Sequence, residues 1–186
     1  NKVYDGGTVA TISSYGSLSG IETGDTVTLN SSSADPDFDN KNVGTDKDVT
    51  VQSLALAGTD AGNYSIGNQT TTANITAKSI SSLTLSASNK TYDGNTTASV
   101  SVSSSDIIAG DTVTFSNSAV FNTRHVATGK AVTVSSISIS GGTDSGNYTL
   151  ATTSGSTTAD VTQLASVTWN GNTGDGLWSS ASNWVG

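Results

Sequence analysis

The sequence offers one imidazole, that of His125, and no Cys. A Ser-His-Asp arrangement needs its His oriented by an acid and touching a nucleophile. His125 has Asn42 as its counterpart in an internal repeat of the chain, and a group that is not duplicated with its module fits a loop better than a catalytic centre. Thiol nucleophiles and zinc–thiolate sites are excluded by composition. Asp35, Asp37 and Asp39, followed by Asn40, alternate like the first ligands of a calcium loop, where carboxylates on every second residue converge on one hard cation. No Gly follows at the required place and no Glu closes the loop, so a solvated acidic loop is the simpler reading, and calcium is the one cofactor the sequence offers. Tyr15 has no partner in the second repeat and is the candidate for a surface ligand, since an aromatic face stacks on a sugar ring while its hydroxyl hydrogen-bonds at the rim. Lys2 and Lys90, with Asn63 and Asn147 or Asp60 and Asp144, are the groups an intramolecular amide cross-link would use. The ordinary alternative is a Lys whose stem covers a strand edge while its charge stays in water. Asn-Xaa-Ser/Thr sites at Asn30, Asn63, Asn68, Asn74, Asn95 and Asn147 are what chance gives in so hydroxyl-rich a chain.

The elements that must hold these residues are strands. Of 186 residues, 32 are Ser and 30 are Thr, with 20 Gly and a single Pro, a composition that disfavours helix. Seven basic against fifteen acidic residues leave a formal charge of -8, which repels phosphate backbones and anionic headgroups. Nucleic acid is therefore not an expected partner. Apolar runs fall well short of the roughly 20 residues that span a bilayer, and no charged-then-apolar leader is visible; no membrane insertion is expected. A chain with neither Met nor leader is expected to be a monomeric part of something longer.

Self-similarity organises the chain. Asn1-Lys2-Val3-Tyr4-Asp5-Gly6-Gly7-Thr8 returns as Asn89-Lys90-Thr91-Tyr92-Asp93-Gly94-Asn95-Thr96. Gly24-Asp25-Thr26-Val27-Thr28 returns as Gly110-Asp111-Thr112-Val113-Thr114, and Phe38 and Val43 as Phe121 and Val126. Gly58-Thr59-Asp60-Ala61-Gly62-Asn63-Tyr64 returns as Gly142-Thr143-Asp144-Ser145-Gly146-Asn147-Tyr148, and Ala73-Asn74-Ile75-Thr76 as Ala159-Asp160-Val161-Thr162. The exact repetition of Tyr4/Tyr92 and Tyr64/Tyr148 argues for core anchors, and the repeated Asp5/Asp93, Asp25/Asp111 and Asp60/Asp144, each near a Gly, for turn formers. Each copy is long enough to bury a modest core of its own. The expected domains are 1–76, 77–162, and a different, truncated module over 163–186 that holds all three Trp. Leu83, Leu85 and Ala87 alternate as a strand leading the second copy; the first copy starts without one, so its leading strand is expected to be missing.

Within each copy the apolar period is two: Val49 and Val51, Leu54 and Leu56 in the first, Val132 and Val134, Ile137 and Ile139 in the second. The spacing of three from Val51 to Leu54 and from Val134 to Ile137 reverses side-chain parity, so a bulge or a strand switching sheets is expected there. The fold class is all-β: two tandem β-sandwich modules, immunoglobulin-like in the broad sense and arranged as a rod, plus a truncated β segment. A β-grasp-like mixed sheet is the alternative.

The residues resemble a known family. Lys-Xaa-Tyr-Asp-Gly, Gly-Asp-Thr-Val, Phe with Val five residues on, Gly-Asn-Tyr and the closing Ala-Xaa-Ile/Val-Thr occur in order, twice, across residues 1–162, and so resemble YDG domains, tandem repeats of large secreted bacterial adhesins of filamentous-haemagglutinin type. One departure is Ala127 where the first copy has Gly44, beside Arg124 and His125. The resemblance implies export to the bacterial cell surface and a structural stalk that extends a distal binding region for cell adhesion or biofilm, not an enzyme. The alternatives are that the repeats themselves bind a matrix polysaccharide or a host glycan, or that calcium stiffens them through Asp35, Asp37 and Asp39.

Overall fold

Alternating apolar and hydroxyl-bearing residues suit a pleated, half-buried surface, and they extend the chain accordingly. The computed structural model describes residues 1–185. In chain order the strands are β1 (Lys2–Val3), β2 (Thr28–Asn30), β3 (Asp35–Phe38), β4 (Gly44–Gln52), β5 (Ala55–Ala57), β6 (Gln69–Thr76), β7 (Lys78–Ile80) and β8 (Thr84–Ala87). They continue with β9 (Lys90–Thr91), β10 (Val100–Ser103), β11 (Thr114–Phe121), β12 (Ala127–Gly141), β13 (Tyr148–Leu150), β14 (Gly155–Thr162), β15 (Thr168–Trp169) and β16 (Trp184–Val185). Single 3-10 turns at Ala61–Asn63, Ser145–Asn147 and Ala181–Asn183 are the helical segments among the described residues. The fold is all-β.

Two compact units form. The first comprises residues 1–80, 106–113 and 141–151, so two loops that belong in sequence to the second repeat are part of it. Its main sheet has the order β1-β6-β4-β3, antiparallel except where β1 lies parallel to β6, with Lys2 opposite Ile75. The single proline, Pro36, lies on the edge strand β3, where a missing N–H costs no ladder bond. Its carbonyl accepts the Ala10 amide at 2.8 Å. Phe38 stands opposite Val49 across the β3–β4 pair, and both are buried with Val51, Ile75 and Tyr4. Smaller pairs complete the unit: β2 with β5, and β7 with β13 in parallel, Ile80 opposite Leu150.

The second unit comprises residues 81–105, 114–140 and 152 onward. Its sheet, β11-β12-β14-β9, repeats the mixed pattern, with β9 parallel to β14. Phe121, Val132, Val134, Ile137, Ala159 and Val161 form its core. The leading strand β8 pairs with β10. At the end of the chain β15 pairs with β16, and Trp178 lies between Trp169 (5.7 Å, stacked) and Trp184 (5.1 Å).

The expected parity reversal is resolved at one residue per repeat. Ser53 (φ 59°) and Ser136 (φ 52°) take the left-handed conformation, which turns the following apolar residues back toward the interior. After Ser53 the strand changes partner, β4 pairing with β3 and β6 while β5 pairs with β2. After Ser136 it continues within β12, and Ile137 is buried.

Candidate functional site

The repeated opening motif builds a closed turn. Lys2 Nζ donates to the carbonyls of Gly7 (2.9 Å) and Val9 (3.0 Å), pairs with Asp5 at 2.7 Å, and stands 5.7 Å from the centre of the Phe38 ring. Lys90 repeats this with Asn95 and Thr97 (3.0 Å each), Asp93 (2.7 Å) and Phe121 (5.7 Å). Asp5 accepts the Gly7 amide and Asp93 the Asn95 amide, around Gly6 and Gly94, both at φ 81°. Only glycine adopts that conformation freely. Lys-Xaa-Tyr-Asp-Gly is therefore a clamp holding a turn over an aromatic ring. Lys2 and Lys90, the amines an amide cross-link would use, spend their ammonium groups on these turns, while Asp60 and Asp144 accept the amides of Thr26 and Thr112.

A second constellation lies within the first unit. The Tyr4 and Tyr148 hydroxyls each donate to Asp111 Oδ2 at 2.7 Å, and the two rings meet edge to face at 5.5 Å. Lys41 Nζ bridges Asp111 (2.9 Å) and Asp144 (3.0 Å) and stands 5.8 Å from the centre of the Tyr4 ring. Asn147 is buried; its Oδ1 accepts the Val43 amide and its Nδ2 donates to Asn42. Burial opposes ionisation of Asp111, but hydrogen bonds from Tyr148, Lys41 and Tyr4 outweigh it and hold the carboxyl below its ordinary range. The Thr112 amide, Lys41 and the Thr143 hydroxyl draw Asp144 down to about 2. Burial and the neighbouring Asp111 push Tyr148 up to about 12. Hydrogen bonds to Asp111, Asp144 and Tyr4 raise Lys41 well above the ordinary lysine value. Every charge here is paired, Lys41 with both carboxylates and Asp111 with both tyrosine hydroxyls as well.

The first repeat carries the same acidic face. Tyr64 donates to Asp25 at 2.7 Å, the Thr26 amide donates to Asp60 at 2.8 Å, and the Glu22 amide donates to the Tyr64 hydroxyl at 3.0 Å. The matching distances in the second repeat, from Tyr148, Thr112 and Ile108, are 2.7, 3.0 and 3.0 Å. Reading Asp60 and Asp144 as turn formers accounts for these amide bonds. Sequence reasoning missed Lys41; its one signal was a basic residue at both matched positions, Lys41 and Arg124.

The sequence candidates fall elsewhere. Asp35 and Asp37 lie on β3 and Asp39 just beyond it; Asp37 accepts the Thr8 hydroxyl, and Asp39 is paired with Lys47 at 2.7 Å. Same-side positions on an extended strand are about 6.6 Å apart, and among the described residues no group of three or more His, Cys, Asp or Glu gathers as a metal site. Tyr15 is half-buried and lines an open groove of about 740 Å³ with Ile12, Leu29, Phe38, Val51 and Ile66. His125 is exposed in the turn between β11 and β12.

Fold and site together define an all-β protein built from a duplicated turn-clamped module. The YDG domain model matches residues 1–73 and again 76–159, and the chain belongs to that family. No curated protein and no solved structure matches it.

Proposed function

We propose that this chain is a structural repeat region of a secreted bacterial surface adhesin, a stalk that extends a distal binding region for adhesion or biofilm. The observation that carries this reading is the use made of the duplicated polar groups. Both motif lysines, both motif aspartates and both Asp60-type carboxylates are committed to backbone turns, and the Lys41 cluster ties loops of the second repeat into the first unit. A module whose repeated chemistry holds itself together suits spacing. Its acidic, hydroxyl-rich surface stays hydrated and discourages sheet-edge aggregation.

A second reading rests on the groove beside Tyr15, whose aromatic and hydroxyl lining suits a polysaccharide or host glycan. The test is a titration of the chain, with a Tyr15→Ala variant alongside, against matrix polysaccharides and host glycans in physiological salt. The stalk reading expects no saturable binding to any of them. Saturable binding to one class, lost in the variant, would make the repeats adhesive units and place the site in the groove.

A further inference from the structure

We propose that the face of the first repeat formed by Asp25, Asp60, Asn63 and Tyr64 is a docking site for a second copy of this chain, which it takes through Tyr92 and Arg124. The proposal comes from comparing one face in two situations. In the second repeat, Asp111, Asp144, Asn147 and Tyr148 receive Tyr4, Lys41 and the backbone of Val43, and Asn147 and Tyr148 are buried. In the first repeat the same four positions are already arranged by equivalent internal bonds, from Tyr64 to Asp25 and from the Thr26 amide to Asp60. The 3-10 turns beneath both faces start alike, with φ -104° at Asp60 and -106° at Asp144. Yet Asn63 is exposed, Tyr64 is half-exposed, and among the described residues no Lys or Arg lies within ion-pair distance of Asp25 or Asp60.

The complementary half is present on the chain too. Tyr92 and Arg124 occupy the positions that Tyr4 and Lys41 hold in the first repeat. The Tyr92 amide donates to Thr162 as the Tyr4 amide donates to Thr76, so the two tyrosines leave their sheets alike. Tyr4 is buried, whereas Tyr92 is half-exposed and Arg124 and Val126 are exposed. An Arg presents a planar fork that can engage two carboxylates at once, where Lys41 bridges them as a point charge. Two further contact positions differ: Asn42, which accepts from Asn147, is His125 in the other copy, and Ile108, which lies beside Gly6 in the engaged face, is Glu22 in the other. The exchange of Ile108 for Glu22 trades an apolar contact for a third negative charge facing Arg124.

Donor and acceptor are different surfaces of one chain, so the association is heterologous and head to tail, and it does not close on itself unless a ring forms. A repeat tethered nearby would meet this face at an effective concentration of about 1 mM, so the free chain must be measured at comparable concentration. The inference holds whether the repeats act as spacers or bind a glycan.

The experiment is sedimentation equilibrium of the full chain up to about 1 mM, with two variants whose fold is checked by circular dichroism. Asp25→Asn with Asp60→Asn keeps the oxygen that accepts the turn bonds but removes the charge, and Arg124→Glu changes an exposed side chain. The chain is expected to form concentration-dependent oligomers that weaken with salt, and each variant alone to stay monomeric. The two variants mixed are expected to form heterodimers and nothing larger, since each retains one intact half. A chain that is monomeric throughout, association unchanged by Arg124→Glu, or a mixture that fails to pair would each overturn the proposal.

Discussion

Asp25 and Asp111 stand at matched positions in the two repeats, and the structure requires their removal to have unequal costs. Asp111 has a side chain only 4% exposed and accepts hydrogen bonds from Tyr4 and Tyr148, whose residues are 1% and 4% exposed, as well as from Lys41. In Asp111→Ala both hydroxyl protons lose a charged acceptor, at about 1.5–3 kcal/mol each. Lys41 keeps Asp144 at 3.0 Å, so no buried charge is left alone, and release of a desolvated carboxylate offsets part of the loss. The net cost expected is about 3 kcal/mol. Asp25→Ala removes one bond, from the half-exposed Tyr64, whose hydroxyl can turn to water; that cost is expected to be about 0.5–1 kcal/mol. Both residues belong to the first unit, so urea unfolding of that unit, followed by circular dichroism and assigned by amide exchange, measures both in one transition. Equal costs, or an Asp111→Ala cost below about 1 kcal/mol, would mean that the cluster around Asp111 does not form in solution, and the reasoning would fail with it.

The same cluster sets the pH dependence. Asp144 titrates at about 2 in the fold against an ordinary 3.8, so its contribution is complete above about pH 4 and is lost as pH falls toward 2. Tyr148, raised to about 12, acts in the opposite direction: its contribution is complete below about pH 10 and is lost as pH rises through 12, and the raised Lys41 works in the same sense at more alkaline pH. Melting temperature against pH should show a plateau between these limbs, and an acid limb that begins near neutrality would contradict the assignment. Gly142→Ala and Gly58→Ala should each destabilise by about 3 kcal/mol, because a Cβ would lie 2.2 Å from the carbonyl oxygens of Thr112 and Thr26 at φ 107° and 113°; denaturant melts that place either within about 1 kcal/mol of the parent would be inconsistent with these turns. Calcium and chelator should leave the melting temperature unchanged, since Lys47 engages Asp39 and Thr8 engages Asp37; a rise that saturates with calcium would restore the acidic loop as a site.

The strand content could be read from the sequence because period-two alternation is local information. Ser53 and Ser136 show its reach: the apolar spacing of three flags a change of parity at each, but whether the strand then changes partner or continues depends on the strands available around it. The opening motif was legible as a repeated unit, while its meaning as a lysine clamp over Phe38 and Phe121 needed the fold, because Lys2 and Phe38 are far apart in the chain. Repetition marked Tyr4, Tyr92, Tyr64 and Tyr148 alike as core anchors, but only Tyr4 and Tyr148 are buried while Tyr64 and Tyr92 are half-exposed; that Tyr4 and Tyr148 share the carboxylate of Asp111 was not legible. Pairs such as Tyr4 with Asp111 and Lys41 with Asp144 leave no periodic trace.

The sequence by itself determined that this is an all-β chain with a duplicated module, that the duplicated acids sit in turns, and that thiol chemistry is closed to it. Those properties follow from composition, alternation and short-range turn bonds, which act within a few residues of one another. Only the tertiary structure decided which of two nearly identical acidic faces is covered. The turn bonds at Asp25 and Asp111 are the same, and the exchange of Ile108 for Glu22 beside them does not by itself say which face is covered. The difference is the arrival of Tyr4 and Lys41 at one face, and that is a property of how distant segments meet.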